Sequence, residues 1–258
     1  NLAAHKGILI KDGRSLECLN QVDTILFDKT GTLTDEQPEV GQIIPCDKEY
    51  NQNEILTYAA TAERRLAHPI ARAILTKAQK SHLALLDVDD SNYQIGYGIT
   101  VSIDDKVIQV GSTRFMEIEG MVVPPSIKQT MAETQIEGHY FVMVAINHQV
   151  KGAIEIRPQL RLGVKKTIKQ LRKHGIKYIA IVSGDHEKPT QKLAEKLGID
   201  HYFANVLPQD KASVVEKLQK ESKTVCFVGD GINDAIAMKK ANVSISLQGA
   251  TSLATDIA

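Results

Sequence analysis

The sequence predicts an α/β protein: a Rossmann-like parallel sheet with helices on both faces, interrupted by an inserted α+β domain with an antiparallel sheet. Three observations predict it. The apolar run Val22 to Phe27 reads as a buried strand, yet the next stretch of parallel-sheet character comes only after Arg157. The gap between them mixes helical periodicity with short alternating runs and hairpin-like separators. Beyond Pro158 helices and strands alternate, which implies right-handed crossovers and parallel pairing.

In the gap, Ile55 to Leu66 and Pro69 to Lys80 have the spacing of helices, and Pro124-Pro125 opens another towards Gln135. Ile99 to Ile103, Val107 to Val110, Tyr140 to Ile146 and Val150 to Ile156 read as strands, separated by the turn formers Asp104-Asp105 and Asn147-His148-Gln149. After Pro158 come helix Gln159 to Lys173, strand Lys177 to Val182, helix Lys188 to Leu197 and helix Gln209 to Lys220. Strand Thr224 to Val228, helix Ile232 to Lys239 and strand Val243 to Ser246 complete the alternation. The expected division is 1–37 and 157–258 for the interrupted domain and 38–156 for the insert, with a hinge at Asp35 to Glu39 and Ile156 to Pro158.

Composition narrows the function classes. The 258 residues are 43% hydrophobic and 24% charged, enough to bury a proper core. The 31 Lys and Arg balance 31 Asp and Glu, so no global field draws the chain to nucleic acid or anionic lipid. No run approaches the roughly 18 apolar residues that mark a membrane helix. Cys18, Cys46 and Cys226 are scattered with no Cys-x-x-Cys pair, which points to ordinary reduced thiols.

The chemistry centres on Asp28-Lys29-Thr30-Gly31-Thr32-Leu33-Thr34, which follows the first strand. A strand end fixes the Asp28 carboxylate, and the Gly/Thr turn supplies N–H groups and hydroxyls to a phosphoryl group arriving in line with it. Asp28 is then a nucleophile towards phosphorus. Two residues on, Thr30 stands where a hydrolase of this design carries a second aspartate for protonating the leaving group and activating water. Without that acid/base, an acyl-phosphate forms and persists. The heptapeptide resembles the phosphorylation signature of P-type ATPases, within the haloacid-dehalogenase-like superfamily. The resemblance implies cytosolic domains of an integral membrane pump.

Three further segments place polar groups where strands end. Ser183-Gly184-Asp185 follows strand Tyr178 to Val182 and offers a hydroxyl and a nearby backbone N–H. Lys211, in Pro208-Gln209-Asp210-Lys211, opens a helix and can neutralise charge on the phosphoryl oxygens and on Asp28. Gly229-Asp230-Gly231-Ile232-Asn233-Asp234 follows strand Val225 to Val228; its glycines permit close backbone approach, and Asp230 is a hard ligand for Mg²⁺. Asn233 and Asp234 begin a helix facing the same site. The superfamily presents nucleophile, hydroxyl, lysine and acidic loop in this order. The expected Mg²⁺ ligands are therefore Asp28, Asp230 and the Thr30 carbonyl.

No Walker-type phosphate loop is present, so the insert must hold the phosphoryl donor differently. Glu63-Arg64-Arg65-Leu66-Ala67-His68-Pro69 resembles the His-Pro element of heavy-metal (type IB) pumps, and Gly96-Tyr97-Gly98 their nucleotide glycine pair. The resemblance implies ATP contacts from Glu63, His68, Gly96, Gly98, Gly111 and Ser112. Departures are Leu66-Ala67 for Ser-Glu, Thr100 for a third glycine, Ser112 for asparagine and Ile236 for proline. The family also implies partners outside this sequence: membrane helices that bind the heavy-metal ion, and an actuator domain that supplies a dephosphorylating glutamate. An alternative is a free-standing phosphatase of the same superfamily with the insert as cap, against which Thr30 speaks. Another is a nucleotide sensor that has kept the fold without the chemistry.

Overall fold

A computed structural model describes residues 2–5, 7–10, 12–46, 48–88, 90–94, 98–229 and 232–247. The chain divides into two units, Asn1–Glu36 with Leu160–Ala258, and Gln37–Gln159.

The first unit opens with short helices α1 (Leu2–His5) and α2 (Gly13–Leu19), followed by strand β1 (Thr24–Asp28). The second unit then runs from β2 (Glu39–Pro45) through α3 (Gln52–Glu63), α4 (Pro69–Lys80), β3 (Asp90–Gln94), β4 (Gly98–Ile103) and β5 (Lys106–Gly111). It continues with α5 (Thr113–Ile118), α6 (Pro125–Gln135), β6 (Tyr140–Ile146) and β7 (Gln149–Arg157). The first unit resumes with α7 (Val164–Lys173), β8 (Tyr178–Val182), α8 (Glu187–Leu197), β9 (His201–Phe203) and α9 (Lys211–Lys220). It ends, among the described residues, with β10 (Val225–Gly229), α10 (Ala235–Lys240) and β11 (Val243–Ser246).

The first unit's sheet has five parallel strands in the order β11-β10-β1-β8-β9. Alternation along β1 explains why it is buried on both faces. Ile25 and Phe27 pack with Ile179, Ile181, Cys226 and Val228 under Ile168, Ala194 and Leu197 from α7 and α8. Leu26, between them, faces the other way, with Ala180, Val182 and Phe227 against Val215, Leu218, Ala237 and Met238 from α9 and α10. Such a two-sided core requires a continuous apolar run rather than a polar alternation. Burial pushes the Cys226 thiol up to about 12, so it is an inert thiol. Because β8 and β10 flank β1 on opposite sides, the strand order reverses there. Ligand crevices of open parallel sheets lie beyond the carboxyl ends of strands at such a reversal.

The second unit is a six-stranded antiparallel sheet, β2-β7-β6-β5-β4-β3, covered on both faces. Val142, Val144 and Ile146 turn to Ile55, Leu56, Ala59 and Ile74 of α3 and α4. Their neighbours Phe141, Met143 and Ala145 turn to Phe115, Met116 and Ile127 of α5 and α6. Asn51 and Glu54 form a reciprocal capping box at the start of α3. The hairpin turns carry left-handed residues, Asp104 and Asp105 in one and Asn147 and His148 in the other.

The structure corrects several expected elements. The helix predicted from Gln159 begins at Val164, because Gly163 adopts φ +85° at its N-cap and breaks the pattern. The helix predicted from Ile232 is a 3-10 turn over Ile232–Asp234 before α10. Strands β2, β3 and β9 and helix α5 were not expected. Leu26 is fully buried, and Leu26→Ala removes a side chain from the centre of the parallel sheet. The expected loss is about 2–5 kcal/mol, read as a lower urea midpoint for the first unit.

Candidate active site

The carboxyl end of β1 delivers Asp28 into a tight loop, Lys29–Leu33, whose Gly31 takes φ +73° and ψ −11°. Only glycine enters that left-handed region without a Cβ penalty. The loop closes on itself where the Thr34 amide and hydroxyl both donate to the Lys29 carbonyl, at 3.1 and 3.2 Å.

Three segments distant in sequence meet at Lys211. Lys211 Nζ, from the first turn of α9, donates to Asp28 Oδ1 at 2.5 Å and to Asp234 Oδ1 at 2.6 Å. The three side chains are sealed off: Asp28 and Lys211 are each 6% exposed and Asp234 1%. Burial alone would push the Lys211 ammonium down; the Asp28 charge and the hydrogen bonds to Asp234 and Asp28 outweigh it and hold the group above its ordinary value. Lys211 is therefore a cation at neutral pH. Gly229 makes room for this arrangement, since a Cβ there would stand 2.6 Å from Asp234 Oδ2.

Lys29 pairs with Asp185, while burial lowers its pKa against the opposing pull of Asp28. Asp185 belongs to the turn after β8. There the buried Ser183 hydroxyl accepts from the Asp185 amide at 3.1 Å, and the Asn205 amide donates to the Asp185 carbonyl at 2.8 Å. Gly184, Thr30 and Asn233 are exposed. Asp230 and Gly96, two of the expected ligands, lie outside the described residues.

Asp28 and Asp234 offer carboxylate oxygens around the Lys211 ammonium. Hard oxygens of this kind suit Mg²⁺. Among the described residues no group of three or more His, Cys, Asp or Glu side chains is placed to hold a metal.

In the second unit His68 caps α4, its Nδ1 accepting from the Ala71 amide at 3.1 Å, with Pro69 at the first helical position. That bond leaves the proton of neutral His68 on Nε2, which lies 3.1 Å from Glu63 Oε2. The approach is poorly aligned, because this buried oxygen has no hydrogen-bond partner among the described residues. Burial raises the Glu63 carboxyl to about 7 and lowers the His68 pKa. Gly98 and Gly111 are partners across β4 and β5. A Cβ at Gly98 would lie 2.5 Å from the Phe115 ring and 2.6 Å from the Val110 carbonyl, so close packing already demands glycine there. The Ser112 hydroxyl accepts from the Phe115 amide at 3.2 Å and caps α5.

The sequence did not single out Arg161. Its Nη2 donates to the Gly31 carbonyl at 2.6 Å and its amide to the Leu33 carbonyl at 2.9 Å. The buried Thr32 hydroxyl, in the same loop, has no hydrogen-bond partner among the described residues.

A family model described as haloacid dehalogenase-like hydrolase matches residues 22–242. The chain is 37% identical over 258 residues to a copper-exporting P-type ATPase of Staphylococcus haemolyticus (strain JCSC1435), covering 99% of this chain and 31% of that protein. It is 35% identical over 256 residues to a copper-exporting P-type ATPase of Staphylococcus aureus (strain USA300), again covering 31% of it. The chain thus spans under a third of the length of these curated relatives. Among solved structures, the catalytic domain of the CPx-ATPase CopB-B, studied for its conformational changes upon nucleotide binding, is 32% identical with a TM-score of 0.80. It covers 100% of this chain and 91% of that one. A zinc-transporting PIB-type ATPase in its E2.Pi state is 33% identical with a TM-score of 0.82, covering 99% of this chain and 41% of that one.

The raised Glu63 pKa gives the second unit a pH dependence of definite sign. The folded state keeps a proton that the unfolded chain releases near the ordinary value of 4.5, so stability is lost as pH rises from there through about 7. Thermal melts across that window are expected to show the loss in the wild type. Glu63→Gln removes it, and a slope unchanged in that variant contradicts the assignment.

Proposed function

We infer function from one premise: the chain belongs to the haloacid dehalogenase-like hydrolase family and, within it, to the catalytic domains of type IB P-type ATPases. On this reading, residues 1–36 and 160–258 form the phosphorylation domain and residues 37–159 the nucleotide-binding domain. MgATP held by the second phosphorylates Asp28 in the first. The convergence of Asp28 and Asp234 on the Lys211 ammonium is the observation that supports it best.

An Asp28 carboxylate oxygen attacks the γ-phosphorus, the bond from that phosphorus to the β–γ bridging oxygen breaks, and ADP leaves. An aspartyl-phosphate remains. Lys211, fixed as a cation, draws charge off Asp28 and then off the phosphoryl oxygens that replace its carboxylate contact. The Ser183 hydroxyl and the backbone after it stand at the neighbouring strand end to receive another phosphoryl oxygen. Mg²⁺, bound by Asp28, Asp230 and the Thr30 carbonyl, would supply charge neutralisation between nucleophile and phosphate. Thr30 has no carboxyl to activate water, so the intermediate survives for the parent protein to use.

In the second unit Glu63 and His68 receive the adenine, and Gly98, Gly111 and Ser112 serve the nucleotide as well. Glu63 Oε2, buried without a hydrogen bond, is the polar atom there best explained by an absent ligand. In the complete pump the phosphoenzyme would drive a heavy-metal cation through membrane helices, with an actuator domain removing the phosphate and both units on the cytoplasmic side. No helix of the described residues is long and apolar enough to cross a membrane.

The test is labelling of the chain with γ-phosphate-tagged ATP and Mg²⁺. The expected product is an acid-stable, hydroxylamine-sensitive label that Asp28→Asn abolishes and Lys211→Met reduces on the order of 100-fold or more. Turnover should be slow or absent. Fast sustained hydrolysis of ATP or small phosphoesters would replace this reading with that of a phosphatase.

A further inference from the structure

Arg161 is the second residue of the first unit's returning segment, and both its guanidinium and its amide donate to the loop after Asp28. Leu160 makes an isolated antiparallel bridge to Thr34, the Arg161 amide donates to the Leu33 carbonyl, and the guanidinium donates to the Gly31 carbonyl at 2.6 Å. Main chain and side chain together thus clamp residues 31–34. The side-chain contact spans 130 positions in sequence.

The Gly31 carbonyl is the informative partner. Gly31 is the loop residue with the widest conformational freedom, held at φ +73°. A trans peptide points its C=O and N–H in opposite directions. Drawing the Gly31 carbonyl to Arg161 therefore aims the Thr32 N–H away from Arg161. Rotation of that peptide plane would exchange an N–H for a carbonyl oxygen, whose negative end opposes a phosphoryl anion. Arg161 also keeps Nε buried without a partner, an expense that a merely solvated arginine does not carry.

We propose that Arg161 is a positioning residue for phosphoryl transfer, fixing the Gly31–Thr32 peptide plane so that the loop presents N–H groups rather than carbonyl oxygens to the incoming phosphoryl group. This rests on Asp28 being the phosphorylated residue. Arg161 itself touches no reacting atom; it acts through Gly31.

The experiment is single-turnover labelling of the full 258-residue chain with γ-tagged ATP and Mg²⁺, comparing wild type with Arg161→Met and Arg161→Lys. Arg161→Met, similar in volume but without a donor, is expected to slow labelling at saturating ATP on the order of 100-fold. The half-saturating ATP concentration should not change, because nucleotide contacts are untouched. Arg161→Lys, which still donates to a carbonyl, should recover most of the rate. A purely structural role predicts instead rates that follow each variant's urea midpoint, and that result overturns the proposal, as does a wild-type rate in folded Arg161→Met. If Arg161→Met fails to fold, Arg161→Gln decides: an intermediate rate at unchanged half-saturation supports the clamp, and a wild-type rate overturns it. Absence of label in the wild type overturns the phosphorylation reading itself and this proposal with it, whereas label in the wild type isolates the question to Arg161.

Discussion

The buried ammonium of Lys211 joins the elements at the carboxyl end of the first unit's sheet. Asp28 comes from the tip of β1 and Asp234 from the turn after β10, and both direct an oxygen at Lys211, which opens α9. At an effective dielectric of 20, unit charges about 4 Å apart interact by roughly 4 kcal/mol, so two carboxylates crowded here without the ammonium would repel strongly or take up a proton. Three elements thus share one electrostatic solution. Removing a partner from a buried pair leaves an uncompensated charge, whereas exchanging that partner for a phosphoryl group does not. The same contact that stabilises the resting site can therefore be handed over to a ligand.

Glycines around this centre have different physical reasons. Gly31 is required by its left-handed backbone, Gly229 by the Asp234 carboxylate, and Gly98 by Phe115 and the Val110 carbonyl. Only the first is a matter of φ. Motif glycines in the sequence look alike, but the space each one yields is claimed by a different neighbour.

That difference also separates what the sequence disclosed from what it concealed. Strands β1, β8 and β10 were legible because a sheet buried on both faces needs unbroken apolar runs, and α4 because a His-Pro start precedes a periodic helix. Strands β2 and β3 were not: β2 is largely unburied and irregular between Val40 and Ile43, and Asp90–Gln94 is almost wholly polar. Asp28, Lys211 and Asp234 could be grouped because each belongs to a recognisable motif, the two carboxylates following strands and the lysine opening a helix. Arg161 could not, because a guanidinium reaching a backbone carbonyl leaves no residue pattern at either end. Ser112 shows the converse: a position expected to serve a ligand is also explained by helix capping.

The ends of the inserted unit have a bearing on how such a chain folds. Glu39 pairs with Arg157 inside the second unit, and Thr34 with Leu160 inside the first. The first unit therefore sees the second as a loop whose mouth is already shut. Closure entropy grows only logarithmically with loop length, so once that mouth has formed the host sheet is nearly indifferent to what hangs from it. Such a junction lets the inserted segment complete its own hydrophobic core as an independent nucleus, and it tolerates replacement of the whole segment by another of different size.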